Sequence, residues 1–156
     1  MNRKKNILVI DYNSGNLGCI FNALEYLDFN PILVPLIEIN NYNPSENLII
    51  IPGVGNFSHA SQHIHLKTSH EHLRDWAIRA EKLLCICLGY QLLFTSSTEA
   101  QTSHALKEAS LSRGLSIMQS QVNLLSDANK PVLNVGWRRS ISTSNEKCIS
   151  CQLHKN

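Results

Sequence analysis

The chain has 156 residues, 43% hydrophobic and 17% charged, with a formal net charge of +2. That length suits one domain with a real core, and so small a charge gives no argument for nucleic acid or an anionic membrane as a partner. Met1-Asn-Arg-Lys-Lys leads into a short strand rather than a signal peptide, no apolar run is long enough to span a bilayer, and five cysteines outside any secreted framework predict reduced thiols, so the expected location is the cytoplasm.

Ile7-Leu-Val-Ile10 is apolar and rich in β-branched residues, the pattern of a strand buried on both faces. It ends in the polar turn Asp11-Tyr-Asn-Ser-Gly-Asn16. Leu17, Ile20, Phe21, Leu24 and Leu27 then recur at helical spacing, with Asn16 placed as the cap. Ile32-Leu-Val34 predicts a second strand, residues 40–47 a loop, and Leu48-Ile-Ile-Ile51 a third buried strand stopped by Pro52-Gly-Val-Gly55. One or two helices are expected between Ser58 and Lys82, with Leu73, Trp76, Ala77 and Ala80 as their apolar stripe.

Next, the apolar run Leu83 to Ile86 carries Cys87 into Leu88-Gly89, and a helix is expected to about Phe94. Strand, sharp turn and helix in this order form a nucleophile elbow, which exposes a reactive side chain at the turn. Gly89 permits close packing there. A helix N-terminus next to a thiol favours the thiolate, its nucleophilic form. Residues 96–112 read as polar loop. Leu115 to Met118, Val122 to Leu125 and Val132 to Val135 read as short strands of an antiparallel patch, and residues 140–156 show no element.

The expected fold is therefore α/β, an open, mostly parallel sheet with flanking helices on both faces. Ligands of such sheets sit at the carboxyl ends of the strands. Here those ends are Asp11 to Asn16, Pro52 to Gly55 and Cys87 to Gly89, three turns on one rim.

Four motifs in order carry a family resemblance: Asp11-Tyr-Asn-Ser-Gly-Asn16, Pro52-Gly-Val-Gly-Asn-Phe57, Ile86-Cys-Leu-Gly-Tyr-Gln-Leu-Leu93 and Asn134-Val-Gly-Trp-Arg138. Together they resemble the class I glutamine amidotransferases, flavodoxin-like in architecture, and within them the glutaminase subunit of imidazole glycerol phosphate synthase. The resemblance runs from Ile7 to about Arg138. It implies hydrolysis of glutamine to glutamate and ammonia, with Cys87 attacking the side-chain amide to form a thioester. The Leu88 backbone N–H and the turn Gly53-Val54-Gly55 match the family's oxyanion donors. Gln91 and Glu99 match its glutamine-binding residues. No cofactor is implied, and the family holds no metal. The implied partner is a (β/α)8-barrel cyclase subunit that receives the ammonia in histidine biosynthesis, with the Asp11 to Asn16 turn facing it. Related pairs that aminate sugars for surface polysaccharides share the same glutaminase motifs.

Several positions depart from the family pattern. Cys85, Asn13 and Ser116 stand where it usually has Gly, and Asn134 where it has His. The family's catalytic His and the Glu that orients it lie in a Gln-Phe-His-Pro-Glu segment, beyond further strands and before a final helix. Gln152-Leu-His-Lys-Asn156 echoes that segment without its Pro and Glu, so His154 is not read as the base. The expectation is an incomplete amidotransferase domain over residues 1–139, lacking the last strands and helix, with an atypical tail over 140–156. Such a chain alone would be inactive. Its alternatives are a non-catalytic partner of the cyclase and, disfavoured because Gln91 and the glycine turn are then unexplained, a cysteine hydrolase or redox protein.

The remaining motifs have plainer readings. Cys19 and Cys85 are read as packing residues. His59, His63, His65, His70 and His72 are read as a solvated helix face, although His59 and His63 are spaced for a metal on a helix. Cys148 and Cys151 lack the further ligands of a zinc site and are read as incidental. Trp137 reads as a core anchor as readily as a site residue.

Overall fold

A computed structural model describes residues 4–101 and 113–123, which lie in the compact unit Met1–Leu124. Strands β1 (Asn6–Asp11), β2 (Asn30–Pro35), β3 (Leu48–Ile51) and β4 (Lys82–Cys85) form one sheet in the order β2-β1-β3-β4. Every pairing in it is parallel, with Ile7 opposite both Pro31 and Leu48, and Ile51 opposite Cys85. Helix α1 (Leu17–Tyr26) connects β1 to β2, while α2 (Phe57–Lys67) and α3 (His70–Ala77) connect β3 to β4. This is the expected α/β architecture.

Alternation along β1 explains why helices cover both faces. Ile7 and Val9 pack with Leu24 of α1 on one side. Leu8 and Ile10 pack on the other with Phe57, Ile64, Leu73 and Trp76 of α2 and α3. The stripe Leu73, Trp76 and Ala77 is buried and Ala80 is partly so. Side chains at three helix entrances take up free backbone N–H groups: Asn16 accepts from Cys19, Asn56 from His59 and Ser69 from His72. Residues 36–41 and 44–46, partly expected as loop, form short 3₁₀ turns.

Beyond the sheet the expectations need correction. Helix α4 (Leu88–Gln91) is a single turn rather than a helix to Phe94. Its continuation is diverted by residues 115–118, which were expected as a strand. The Leu115, Ser116 and Ile117 N–H groups donate to the carbonyls of Leu92, Phe94 and Leu93, at 2.7, 3.2 and 2.9 Å. Backbone groups spent on a helix end are unavailable to a strand ladder. Of the expected antiparallel patch, the part within the described residues holds a two-residue parallel pair, β5 (Ser96–Ser97) with β6 (Gln121–Val122), plus an antiparallel bridge from Ser96 to Arg113. Leu124 and Leu125 of the expected strand Val122 to Leu125, the whole expected strand Val132 to Val135, Asn134, Trp137, the 139/140 boundary, Cys148, Cys151 and His154 lie outside the described residues. Among the described residues no helix is long and apolar enough to cross a membrane.

Candidate active site

The end of β4 delivers Cys87 to a sharp turn. Ile86 N–H still donates to Ile51 O at 3.0 Å, extending the bond to β3 by one residue. Cys87 then takes φ 52° and ψ −112°, and α4 begins at Leu88. A non-glycine residue with positive φ is uncommon and is held only where the surroundings determine it. The Tyr90 and Gln91 N–H groups donate to Cys87 O at 3.0 and 3.1 Å, locking the turn. The residue itself is exposed. These features make a strand–turn–helix elbow with the thiol at its tip. With only four residues, α4 offers local N–H groups rather than the long dipole the sequence suggested.

Two close approaches join the elbow to the glycine turn after β3. At Gly89 an added Cβ would run into Ile51 O and lie 2.8 Å from Pro52 O. At Gly53 it would run into the Tyr12 hydroxyl and lie 2.6 Å from Gly89 N and 2.8 Å from Leu88 Cβ. Neither position has room for a side chain. Gly53 and Leu88, two of the expected oxyanion residues, are thus neighbours, and the Leu88 side chain is buried in the core. Gly55 has φ 111° and an open Cβ direction, while Val54 is 61% exposed.

The turn after β1 packs against the same glycine turn, because β1 and β3 are neighbours in the sheet. Tyr12, buried, donates its hydroxyl hydrogen bond to Pro52 O. Ser14 Oγ donates to Val54 O at 2.6 Å and accepts from Val54 N–H at 3.4 Å. A Cβ at Gly15 would lie 3.3 Å from Gly53 N. Sequence reading turned Asp11 to Asn16 outward toward a partner and missed this inward contact. The available signal was the pair of glycine-bearing turns ending two strands of one parallel sheet.

Gln91 closes α4, one turn beyond Cys87, and is half-buried. Glu99 lies in the 3₁₀ turn Thr98–Gln101, where its Oε2 accepts from Phe57 N–H at 3.1 Å. Its carboxylate therefore meets the N-terminus of α2, directly after the glycine turn, where the helix dipole favours a negative charge.

Two positions where the family has Gly keep a left-handed backbone here, Asn13 at φ 59° and Ser116 at φ 53°. Asn tolerates that conformation better than most residues. Cys85, the third such position, sits in β4 with its thiol packed against the core, and burial pushes its pKa up to about 12. Cys19, by contrast, is exposed on α1 and is not the packing residue expected.

The histidines do not form one solvated face. His59 and His63 meet edge to face on α2 with ring centroids 4.8 Å apart, and His72 bonds to Asn40 Oδ1 at 2.9 Å. His70 is buried against Ser61 Oγ at 3.1 Å. Desolvation lowers its pKa to about 4, with nearby Arg113 acting in the same direction.

A family profile, glutamine amidotransferase class-I, matches residues 8–154. The imidazole glycerol phosphate synthase subunit HisH of Synechococcus sp. (strain CC9902) is 36% identical over 133 residues, covering 85% of this chain and 56% of that protein. The HisH subunit of Synechocystis sp. (strain ATCC 27184 / PCC 6803 / Kazusa) is 33% identical over 132 residues, covering 84% of this chain and 57% of its own. The imidazole glycerol phosphate synthase hisHF of Schizosaccharomyces pombe (strain 972 / ATCC 24843) is 29% identical over 135 residues, 84% of this chain and 22% of that protein. The chain thus spans a little over half the length of the HisH proteins it matches. Among solved structures, a Listeria monocytogenes EGD-e protein named for peptidase E shares the fold, with a TM-score of 0.54 at 17% identity, over 75% of this chain and 65% of that one. The chain belongs to the class I glutamine amidotransferase family.

Proposed function

We propose that this chain is a glutaminase subunit that works in the cytoplasm with a (β/α)8-barrel cyclase and supplies it with ammonia for imidazole glycerol phosphate synthesis in histidine biosynthesis. The observation that carries the reading is the exposed Cys87 at φ 52°, on an elbow packed against Gly53. In this reaction Cys87 Sγ adds to the glutamine side-chain carbonyl, and the negative charge moves to the carbonyl oxygen. Backbone N–H groups of Leu88 and the Gly53-Val54-Gly55 turn stabilise it. Ammonia leaves as the thioester forms, and water then releases glutamate. Gln91 and Glu99 hold the rest of the substrate.

Val54 N–H is already engaged by Ser14. The turn has to rotate at its flanking glycines before that donor faces an oxyanion, so the oxyanion site closes only when the full site assembles. Glu99, bonded to Phe57 N–H, turns part of its acceptor capacity toward the substrate's amino group in the same step.

The test is glutamate release with the purified cyclase present. Turnover that Cys87→Ala lowers by about 10⁴-fold or more supports the reading. Turnover untouched by that substitution would sink it. A second reading is a non-catalytic partner of the cyclase. Co-purification with the cyclase without glutamine turnover is its signature. Ammonia delivered instead to a sugar-aminating partner would move the chain to surface-polysaccharide synthesis.

A further inference from the structure

Tyr12 ends in the core, 2% exposed, yet it carries a hydroxyl. A buried hydroxyl costs free energy unless it is bonded, and this one donates to Pro52 O, the carbonyl immediately before the glycine turn. Burial raises its pKa above the ordinary phenol value, with the Ser14 side chain partly opposing the shift, so the phenol stays a donor through the physiological range. The same oxygen occupies the space a Cβ on Gly53 would need. The same Cβ position would also lie 2.6 Å from Gly89 N and 2.8 Å from Leu88 Cβ. The Tyr12 hydroxyl and the elbow therefore close together over the side-chain-free face of Gly53, and the phenol, bonded to Pro52 O, is the fixed wall of that packing.

From this contact we propose that Tyr12 is a positioning residue for the oxyanion turn: its hydroxyl anchors Pro52 O and so fixes the base from which the Gly53-Val54 peptide rotates toward Cys87. This rests on the glutaminase reading of the site. Tyr12 touches no substrate and moves no proton. Without the hydroxyl, the Pro52–Gly53 peptide loses its fixed partner on that side and the donors drift, while the exposed thiol is untouched.

Two electrophiles separate these effects at Cys87. With a chloromethyl ketone built on the glutamine skeleton, Cys87 Sγ adds to the ketone carbon to give a tetrahedral oxyanion, and the sulfur then shifts to the methylene carbon, the first C–S bond breaking as the carbonyl re-forms and chloride leaves. Iodoacetamide alkylates the same sulfur by direct displacement of iodide, with no oxyanion. Both rates are read at Cys87 by peptide mass spectrometry on the full chain, below the thermal midpoint. The expected result for Tyr12→Phe is a roughly tenfold slower maximal rate with the chloroketone. This is a fraction of the 10²–10³-fold that deleting a whole oxyanion donor costs. Half-saturation by the chloroketone stays within twofold, and so does the iodoacetamide rate.

A purely structural tyrosine would change both rates in the same ratio or neither, and either outcome overturns the proposal. Should Tyr12→Phe fail to fold, Tyr12→para-aminophenylalanine keeps a weaker donor and must lower the chloroketone rate part way; an unchanged ratio overturns it equally. If the wild-type chain shows no preference for the glutamine-shaped reagent over chloroacetone, the glutaminase reading itself falls, and this inference with it.

Discussion

Cys85 and Cys87 lie two residues apart and have opposite surroundings. Cys85 is the last residue of β4, paired in register with Ile51, and its thiol is pushed up to a pKa of about 12 by burial. Cys87 is exposed. Had the strand simply continued, the two side chains would point to the same face, because residues i and i+2 share a side. Cys87 would then be a second buried thiol. The positive φ at Cys87 breaks the alternation and swings its side chain out of the sheet. Such a conformation costs on the order of 1–3 kcal/mol and persists only where packing determines it. The comparison teaches that one backbone turn, rather than sequence neighbourhood, decides which thiol is available.

The largest expected effect is in thiol reactivity. At pH 8 a thiol with a pKa near 12 is ionised to about one part in 10⁴, against roughly a quarter for an ordinary exposed cysteine. Iodoacetamide should therefore modify Cys85 at least about 10³-fold more slowly than an ordinary exposed thiol, while Cys87 is modified readily. Peptide mapping of the native chain checks this, and comparable labelling of both cysteines would break the contrast. A linked pH effect has a definite sign. The folded pKa of Cys85 lies above its unfolded value of about 9, so the stability it contributes is intact below pH 9 and is lost as pH rises toward 12. A difference of that size corresponds to at most about 4 kcal/mol. Urea midpoints measured at pH 8 and 10.5 should fall with pH, and less steeply in Cys85→Ala.

Gly89→Ala should act next most strongly. The added methyl would meet Ile51 O and sit 2.8 Å from Pro52 O, both rigid backbone atoms. Either α4 lifts away from β3 or the strand end shifts. Overpacking of this kind costs about 3 kcal/mol. Denaturant midpoints measure the loss, and Cys85 should become easier to alkylate as its cover loosens. A variant as stable as the parent would show that the elbow does not depend on this contact.

The sheet was legible because its strands are short apolar runs bounded by turn residues, and Asn16 announced α1. Cys87, Gly89 and Gly53 were legible as a motif for the same reason, since the turn chemistry is local. The path of the chain after α4 was not. The carbonyls of Leu92 and Leu93 are taken by residues 115–117, more than twenty residues away, and no periodicity near Phe94 reports a competitor so distant. Cys19 was misread because apolar neighbours in sequence do not say whether a residue's own side of the helix is covered, and on α1 it is exposed. His70 was misread in the reverse sense: one polar residue in a histidine-rich stretch turned inward to a buried Ser61. Tyr12 and Ser14 were visible as turn residues, but their grip on Pro52 and Val54 requires knowing that β1 and β3 are adjacent.

Ser14 offers the finest test of how the elbow is kept in place. It is a small side chain, half-buried, that bonds to Val54 through both the carbonyl and the amide. Ser14→Ala removes both bonds and leaves the Tyr12–Pro52 bond and the Gly53 and Gly89 contacts in place. Because the site is partly solvated, water replaces much of what is lost, and the stability cost should be about 1 kcal/mol. Amide exchange at Val54 should accelerate by a corresponding factor of about five, while Cys85 labelling stays slow. Acceleration confined to Val54 would mean that the glycine turn is held from two sides independently, by Ser14 at the surface and by Tyr12 in the core. If exchange instead quickened at Leu88 and Gly89 as well, the turn and the elbow would open as one unit, and the isolation of Cys87 from the strand that carries Cys85 would depend on a hydroxyl on a different strand end.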